Sequence, residues 1–198
     1  YTGTTGVAAG ATLRLGAATA TGSIAGDARV DGDLIFDRTA DLVYGGDITG
    51  GGAVRVTNSG KLTLTGDGSA FAGLTTIDAT TALRIGDGGT SGNLGGTIAV
   101  NGALSFDRSD EWTMAATLRG TGPIEQNGSG RTRLTADSSG YTGRTTIRAG
   151  ALVVNGRLGG AVDLLAGRLE GTGTVGAVTS AANGTVAPGD GGCGTQTV

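Results

Sequence analysis

A 70-residue internal repeat constrains this chain more than any other feature of its sequence. The tripeptides Tyr1–Gly3, Phe71–Gly73 and Tyr141–Gly143 open three successive copies of the repeat. Residues 1–70 align with residues 71–140 without a gap, whereas the third copy diverges soon after it begins. Long-period repeats indicate an elongated array in which each unit packs against its neighbours.

Within each copy, apolar and polar residues alternate over short stretches. Leu62 and Leu64 flank Thr63, and the same alternation recurs in many other short runs of the chain. Such alternation predicts β-strands with one buried face. Gly-rich segments such as residues 50–52 predict the tight turns between the strands. No window of eleven or more residues combines helical periodicity with a helix cap.

Strands that recur about every ten residues inside a 70-residue unit predict an all-β fold, a right-handed parallel β-helix or solenoid. A turn of about 20–25 residues gives roughly three turns per repeat. With strands ~4.8 Å apart, the chain predicts a rod of roughly eight or nine turns, some 40 Å long. We expect one continuous solenoid: repeats at residues 1–70 and 71–140, a partial repeat with terminal turns at 141–190, and an irregular tail at 191–198.

Composition excludes several functional classes. The 198 residues include 42 glycines and no histidine, which excludes Ser-His-Asp and Cys-His mechanisms and histidine-based zinc sites. A net charge of −3 provides no electrostatic footprint for nucleic acid. The single cysteine, Cys193, excludes an internal disulfide. The chain opens with Tyr1 and its one methionine is Met114, so we expect a fragment or a processed product.

The repeated segments resemble a known motif. Residues 59–78 read Ser-Gly-Lys-Leu-Thr-Leu-Thr-Gly-Asp-Gly-Ser-Ala-Phe-Ala-Gly-Leu-Thr-Thr-Ile-Asp, and residues 129–154 follow the same pattern. Both are similar to the autotransporter-associated β-strand repeat of type V secreted proteins, and residues 1–16 resemble a third copy that lacks its first half. The segment from Gly171 to Gly189 resembles the last passenger turns of such proteins.

The resemblance implies a Gram-negative bacterial surface protein that is exported through the periplasm to the outer membrane. It also implies a partner within the same parent chain, a C-terminal outer-membrane β-barrel. The function that we expect is a structural stalk that displays distal regions and supports secretion. One alternative is an adhesin or self-association module, linked to virulence, that binds host or neighbouring cells through the β-helix face. Another is a polysaccharide-active β-helix enzyme.

Two Asp-Arg pairs are the most conspicuous candidate site. Asp37-Arg38 and Asp107-Arg108 share the 70-residue offset, which favours a repeated turn whose carboxylate caps backbone N–H groups or pairs with its neighbour. Stacked three turns apart, the two carboxylates would be roughly 14–15 Å from each other, beyond the roughly 5–9.5 Å of glycosidase pairs. The other carboxylates that a β-helix enzyme could use here are Asp27, Asp31, Asp33, Asp110 and Glu111.

Other motifs have a structural interpretation. Residues 171–176 match GxGxxG, but the helix that dinucleotide binding requires does not follow. Trp112 and Met114 share strand parity, which predicts that one faces the core and the other packs beside it; the alternative is an exposed binding patch. The aromatic residues that open the repeats, Tyr1, Phe71 and Tyr141, predict an aromatic ladder. We therefore expect a non-enzyme with no catalytic, cofactor-binding or metal-binding residues and no cofactor.

Overall fold

The computed structural model describes residues 3–58 and 60–190. The predictions for Tyr1, for Cys193 and for an irregular tail at 191–198 concern residues outside these ranges. Every regular element in the described part of the chain is a strand. None of the described residues forms a helix that could span a membrane.

The strands are short, and most have two to six residues. In chain order they are β1 (Thr5–Val7), β2 (Thr12–Thr19), β3 (Ala28–Val30), β4 (Asp33–Arg38), β5 (Leu42–Tyr44), β6 (Ile48–Thr49), β7 (Ala53–Thr57), β8 (Lys61–Leu64), β9 (Asp67–Gly68), β10 (Leu74–Ile77), β11 (Ala82–Ile85), β12 (Asn93–Leu94), β13 (Thr97–Val100), β14 (Ala103–Phe106), β15 (Glu111–Met114), β16 (Thr117–Gly120), β17 (Ile124–Gln126), β18 (Arg131–Leu134), β19 (Asp137–Ser138), β20 (Thr145–Ile147), β21 (Ala151–Val154), β22 (Arg157–Leu158), β23 (Val162–Gly171), β24 (Thr174–Val175) and β25 (Val178–Pro188).

From β4 onward the strands cycle through three faces of a parallel β-solenoid. The first face contains β2, β4, β7, β10, β13 and β16 and continues with β19, β22 and β24. The second face contains β5, β8, β11, β14, β17 and β20. The third is divided into three hydrogen-bonded groups, β1-β3-β6, β9-β12 and β15-β18-β21. β23 and β25 are long enough to bend from the second face onto the third.

The pairing is parallel along each face, and the predicted fold class is confirmed. The numbers of partner residues on neighbouring turns differ by 20 or 21 in most pairs, as in Leu34↔Val54 and Leu62↔Leu83. The difference increases to 26 between Asp67 and Asn93, where a loop is inserted. It shortens to 17 between Thr145 and Val162. The solenoid has about nine turns, as the sequence predicted.

The 70-residue repeat does not coincide with a whole number of turns. Leu34 lies on the first face, whereas Leu104, its counterpart in the next copy, lies on the second. Likewise Leu62 lies on the second face and Thr132 on the third. Three turns together are shorter than one repeat, so each copy is displaced by three turns and one further face. The estimate of roughly three turns is close, but the expectation that equivalent residues stack along one face is wrong.

The core consists of ladders of inward-facing side chains. On the second face the ladder contains Leu62, Leu83, Leu104 and Ile124, each with at most 2% of its surface exposed. A single turn cannot bury such residues, because each needs a neighbour above and below. Burial of a leucine-sized side chain contributes about 1.5–3 kcal/mol, so the solenoid is stabilised by stacking.

Phe71 and Tyr141 are buried, but they do not form the predicted ladder. Phe71 follows a third-face strand and pairs with Gly50, whereas Tyr141 follows a first-face strand and pairs with Gly120. Because the repeat advances by one face, each aromatic ring fills a different corner of the core. Its neighbour there is a glycine of the preceding turn, not another ring.

Candidate functional site

Arg38 and Arg108 each fasten a loop of the preceding turn to the solenoid. Arg38 donates to the carbonyl oxygens of Gly22 at 2.5 Å and Ala20 at 2.6 Å. Arg108 binds the equivalent carbonyl oxygens, that of Gly92 at 2.5 Å and that of Thr90. We call each arginine, together with the loop it holds, a clasp. The loops are residues 17–21, which begin in the irregular last part of β2, and residues 87–91.

Glycines form the neck of each clasp. Gly22 has φ +100° and Gly92 has φ +99°, values that residues with a side chain rarely adopt. A Cβ on Gly22 would lie 2.4 Å from the nitrogen of Gly16, and a Cβ on Gly92 would lie 2.6 Å from that of Gly86. The backbone segments that enter and leave each loop, at Gly16 and Gly22 and at Gly86 and Gly92, therefore approach too closely for any residue but glycine.

Asp37 and Asp107 both form ion pairs, but their cationic partner is not the neighbouring arginine that one of the sequence alternatives named. Asp37 accepts hydrogen bonds from Arg14 at 2.5 Å and from the Ala18 nitrogen at 3.0 Å. It also accepts one from Asn58, and these bonds hold the pKa of Asp37 below its ordinary value. Asp107 pairs with Arg84, the repeat counterpart of Arg14. The neighbouring arginines are occupied with carbonyl oxygens, so they do not pair with these carboxylates.

The remaining candidate carboxylates are dispersed over separate contacts. Asp27 accepts from the nitrogen of Asp47 at 2.9 Å, and Asp31 pairs with Arg29. Asp110 pairs with Arg108 at 2.7 Å, which holds its pKa below the ordinary value. Asp33 is exposed at the start of β4, and Glu111 belongs to the ion network described next. The described residues contain no group of three or more possible metal ligands.

An ion network joins the last turns on the third face. Glu111 accepts from Arg133 at 2.8 Å, and Asp190 contacts the same guanidinium at 2.7 Å. Arg131 lies 2.7 Å from Glu170 and 3.2 Å from Asp190. Asp190 comes directly after the final strands, so its carboxylate connects the end of the described chain to β18, which belongs to a much earlier turn.

This network encloses an apolar patch. Val153 points outward from β21 between Arg133 and Glu170, yet it is fully buried. Asn155 donates to Asp190 at 2.7 Å, and Arg133 and Asn155 together lower the pKa of that carboxyl. A cleft of about 480 Å³ adjoins the network. The acidic and basic groups on its walls already pair with each other, which indicates a structural role.

The other motifs have the following positions. GxGxxG residues 171–176 span the end of β23, a bend and β24, and the next element is the strand β25. Trp112 and Met114 both face the core, with 6% and 0% of their surfaces exposed. The prediction that only one of them does so is wrong, since residues of equal parity on one strand point the same way.

A second cleft, of about 390 Å³, lies beside the clasp of Arg108. Asp67 and Asn93 line it from adjacent strands of the third face, and Trp112 forms part of its floor. Sequence reasoning missed this cleft, because its walls come from three successive turns. It also missed Arg14, Arg84 and the glycine necks, although the 70-residue offset would have identified them.

Comparison with known proteins agrees with this architecture. The family model of the passenger-associated transport repeat matches residues 54–79 and 124–154. The two matches begin 70 residues apart, which is the offset of the internal repeat. In the structure the first match begins on the first face and the second begins on the second face. The matched segments therefore rotate about the solenoid axis along this chain.

The chain is also similar to the adhesin BmaC autotransporter of Brucella suis biovar 1 (strain 1330). It is 41% identical over 100 residues, which cover 47% of this chain and 3% of the relative. The chain thus spans only a small fraction of that relative's length. No solved structure matches the chain. The repeat matches and this relative support a surface-exposed protein that is secreted across the outer membrane.

Proposed function

We propose that the chain is a structural stalk of the passenger, which holds more distal regions away from the cell and supports their secretion. The observation that carries the proposal is the uninterrupted core, in which every described turn from β4 onward pairs with its neighbour in parallel register. About nine turns at ~4.8 Å per turn make a rod roughly 40 Å long. The clasps and the ion network of the third face stiffen this rod.

Support for secretion follows from the same stacking. Each turn that folds outside the cell buries apolar surface against the turn before it, which opposes the return of the chain. The Asp190 network joins the last turns to earlier ones, so we assign to these turns the largest share of that effect. The partner that the proposal requires is an outer-membrane translocator barrel in the same parent chain.

The test is surface display by the parent protein after deletion of residues 141–187. We expect display to decrease sharply, as measured by antibody labelling of intact cells. The control deletes residues 62–123, which removes three turns and brings Ile124 into the register of Leu62. Display should persist in the control. Unchanged display after the first deletion, or an equal loss in both, would contradict the proposal.

A second candidate function is adhesion or self-association through a solenoid face. The name of the Brucella relative, an adhesin, favours it. Cells that display this chain as their only passenger should then aggregate or adhere, whereas a pure stalk should leave them dispersed. A polysaccharide-active enzyme finds less support, because most of the candidate carboxylates form ion pairs or backbone hydrogen bonds.

A further inference from the structure

The cleft beside Trp112 has the size of a small-molecule site. Its volume of about 390 Å³ falls in the ~300–1,000 Å³ range of ligand pockets. Asp67 and Asn93 stand opposite each other on paired strands and form one wall. Thr90 and Ser91, in the loop held by Arg108, form the opposite wall. Trp112 also lines the cleft, with 6% of its surface exposed.

The polar groups in the cleft are arranged for hydroxyl ligands. One oxygen of Asp67 accepts from the Ser69 nitrogen at 2.9 Å, which orients the carboxylate. The amide oxygen of Asn93 accepts from the Leu94 nitrogen at 2.8 Å, which leaves the NH₂ group as the donor. A carboxylate and an amide at paired positions of neighbouring strands, which lie about 4.8 Å apart, can bind two adjacent hydroxyl groups.

The walls are rigid before any ligand arrives. Arg108 binds two carbonyl oxygens of the loop, pairs with Asp110 and stacks over Trp112 with its guanidinium 5.0 Å from the ring centre. The indole N–H donates to Thr132 at 3.1 Å, so the ring is fixed from its other side. A site that is ordered in advance loses less entropy when a ligand binds.

The first repeat copy shows that the clasp does not require Trp112, Asn93 or the loop sequence of this cleft. Both copies form the clasp, yet Leu42 stands where the second copy has Trp112, and Ser23 where it has Asn93. The loop reads Ala-Ala-Thr-Ala-Thr at residues 17–21 and Asp-Gly-Gly-Thr-Ser at residues 87–91. The clasp is retained while the cleft differs, which separates a structural requirement from a local specialisation.

We propose that this cleft binds a neutral sugar residue of a glycan. Its hydroxyl groups would contact Asp67 and Asn93, and its apolar C–H face would contact the indole edge of Trp112. An anionic ligand fits poorly, because Asp67 is negative and the charge of Arg108 is compensated by Asp110. A single carboxylate in the lining provides too few ligands for a calcium ion. This site is independent of the stalk function.

Trp112 is the only tryptophan, so its fluorescence reports on the cleft directly. We would titrate the full chain, with its β-structure verified by circular dichroism, with glucose, galactose, mannose and N-acetylglucosamine and with oligosaccharides of each. At least one neutral sugar should change the emission saturably. Asp67→Asn and Asn93→Ala should each weaken that binding about tenfold or more, the effect of losing one such hydrogen bond.

Asp137→Asn is the matched control. Asp137 is the counterpart of Asp67 one repeat later and makes the same bond, to the Ser139 nitrogen at 2.9 Å, on another face. Its substitution should leave binding unchanged. A second variant exchanges residues 87–91 for the sequence of residues 17–21, a loop that already closes under the other clasp, and should abolish binding while the chain stays folded. Absence of a saturable signal with every neutral sugar, or equal effects of Asp67→Asn and Asp137→Asn, would overturn the proposal.

Discussion

Tyr141 illustrates how a single side chain is fixed by the solenoid. Its ring is fully buried, and its hydroxyl lies 2.8 Å from the Gly122 carbonyl oxygen and 2.9 Å from that of Arg144. Burial raises the pKa of this hydroxyl to about 12. Phe71 occupies the corresponding position one repeat earlier without a hydroxyl. An aromatic ring is therefore common to both corners of the core, whereas the hydroxyl is present only at Tyr141.

The raised pKa predicts alkaline instability. The folded state holds the tyrosine proton more tightly than the unfolded state, so its contribution is complete below pH ~10 and is lost as the pH rises toward 12. Tyr44, whose pKa burial also raises to about 12, adds to the effect. We expect Tyr141→Phe to lower the free energy of unfolding by about 1 kcal/mol at pH 8. The substitution should also reduce the decrease of this free energy between pH 10 and 12.

Urea unfolding of both proteins at pH 8, 10 and 11 measures this. Phe71→Leu is a control that perturbs the other aromatic corner, which has no titrating group. It should leave the dependence of the free energy of unfolding on alkaline pH unchanged. If the free energy of unfolding decreases equally with pH in the wild type and in Tyr141→Phe, the hydroxyl of Tyr141 does not contribute to the alkaline instability.

At the scale of elements, the clasps explain how a β-solenoid accommodates an inserted loop. The loop at residues 87–91 lengthens the turn that contains it, yet the strands on either side retain parallel pairing. One arginine supplies hydrogen bonds that the looped-out backbone would otherwise lack. Because the same arrangement recurs at residues 17–21, the loop can vary in sequence while the turns below it remain intact.

Loss of a clasp should release its loop. We expect Arg108→Ala to lower the free energy of unfolding by about 1.5–3 kcal/mol, the usual contribution of hydrogen bonds to a charged group. Backbone amide hydrogen exchange should be faster in the variant than in the wild type across residues 87–93. It should remain slow in the third-face strands two turns away. Arg29→Ala is the control, because Arg29 forms an exposed ion pair with Asp31, and exposed pairs contribute little. Unchanged exchange in the loop would contradict the clasp.

At the scale of the whole molecule, the repeat and the turn have different periods. The copies therefore progress around the rod, and equivalent residues such as Asp37 and Asp107 lie on different faces. Successive faces then carry different copies of the same motif. A surface that is continuous along one face is assembled from different parts of the repeat, and the cleft beside Trp112 is one product of this offset.

The molecule as a whole should be destabilised by acid. Hydrogen bonds and ion pairs hold the pKa values of several carboxyls below their ordinary values, namely Asp37, Asp41, Asp110, Glu125, Asp137 and Asp190. A depressed folded-state pKa means that the contribution is complete above the unfolded value near ~4 and is lost as the pH falls through the folded value. Thermal unfolding at pH 7, 5 and 3 should show a stable plateau and then a decrease. An equal midpoint at pH 3 and pH 7 would contradict this.

The sequence by itself determined the fold class, the short strands and the number of turns, because alternation and glycine punctuation are local patterns. It also predicted that Asp37 and Asp107 belong to a repeated turn, since they recur at the 70-residue offset. It could not determine which face each copy occupies, because that depends on the length of every turn, including inserted loops. Nor could it determine the partners of Arg108, the Asp190 network or the cleft beside Trp112. Those arise only when residues far apart in the chain are stacked on neighbouring turns, and tertiary structure alone decides which side chains then meet.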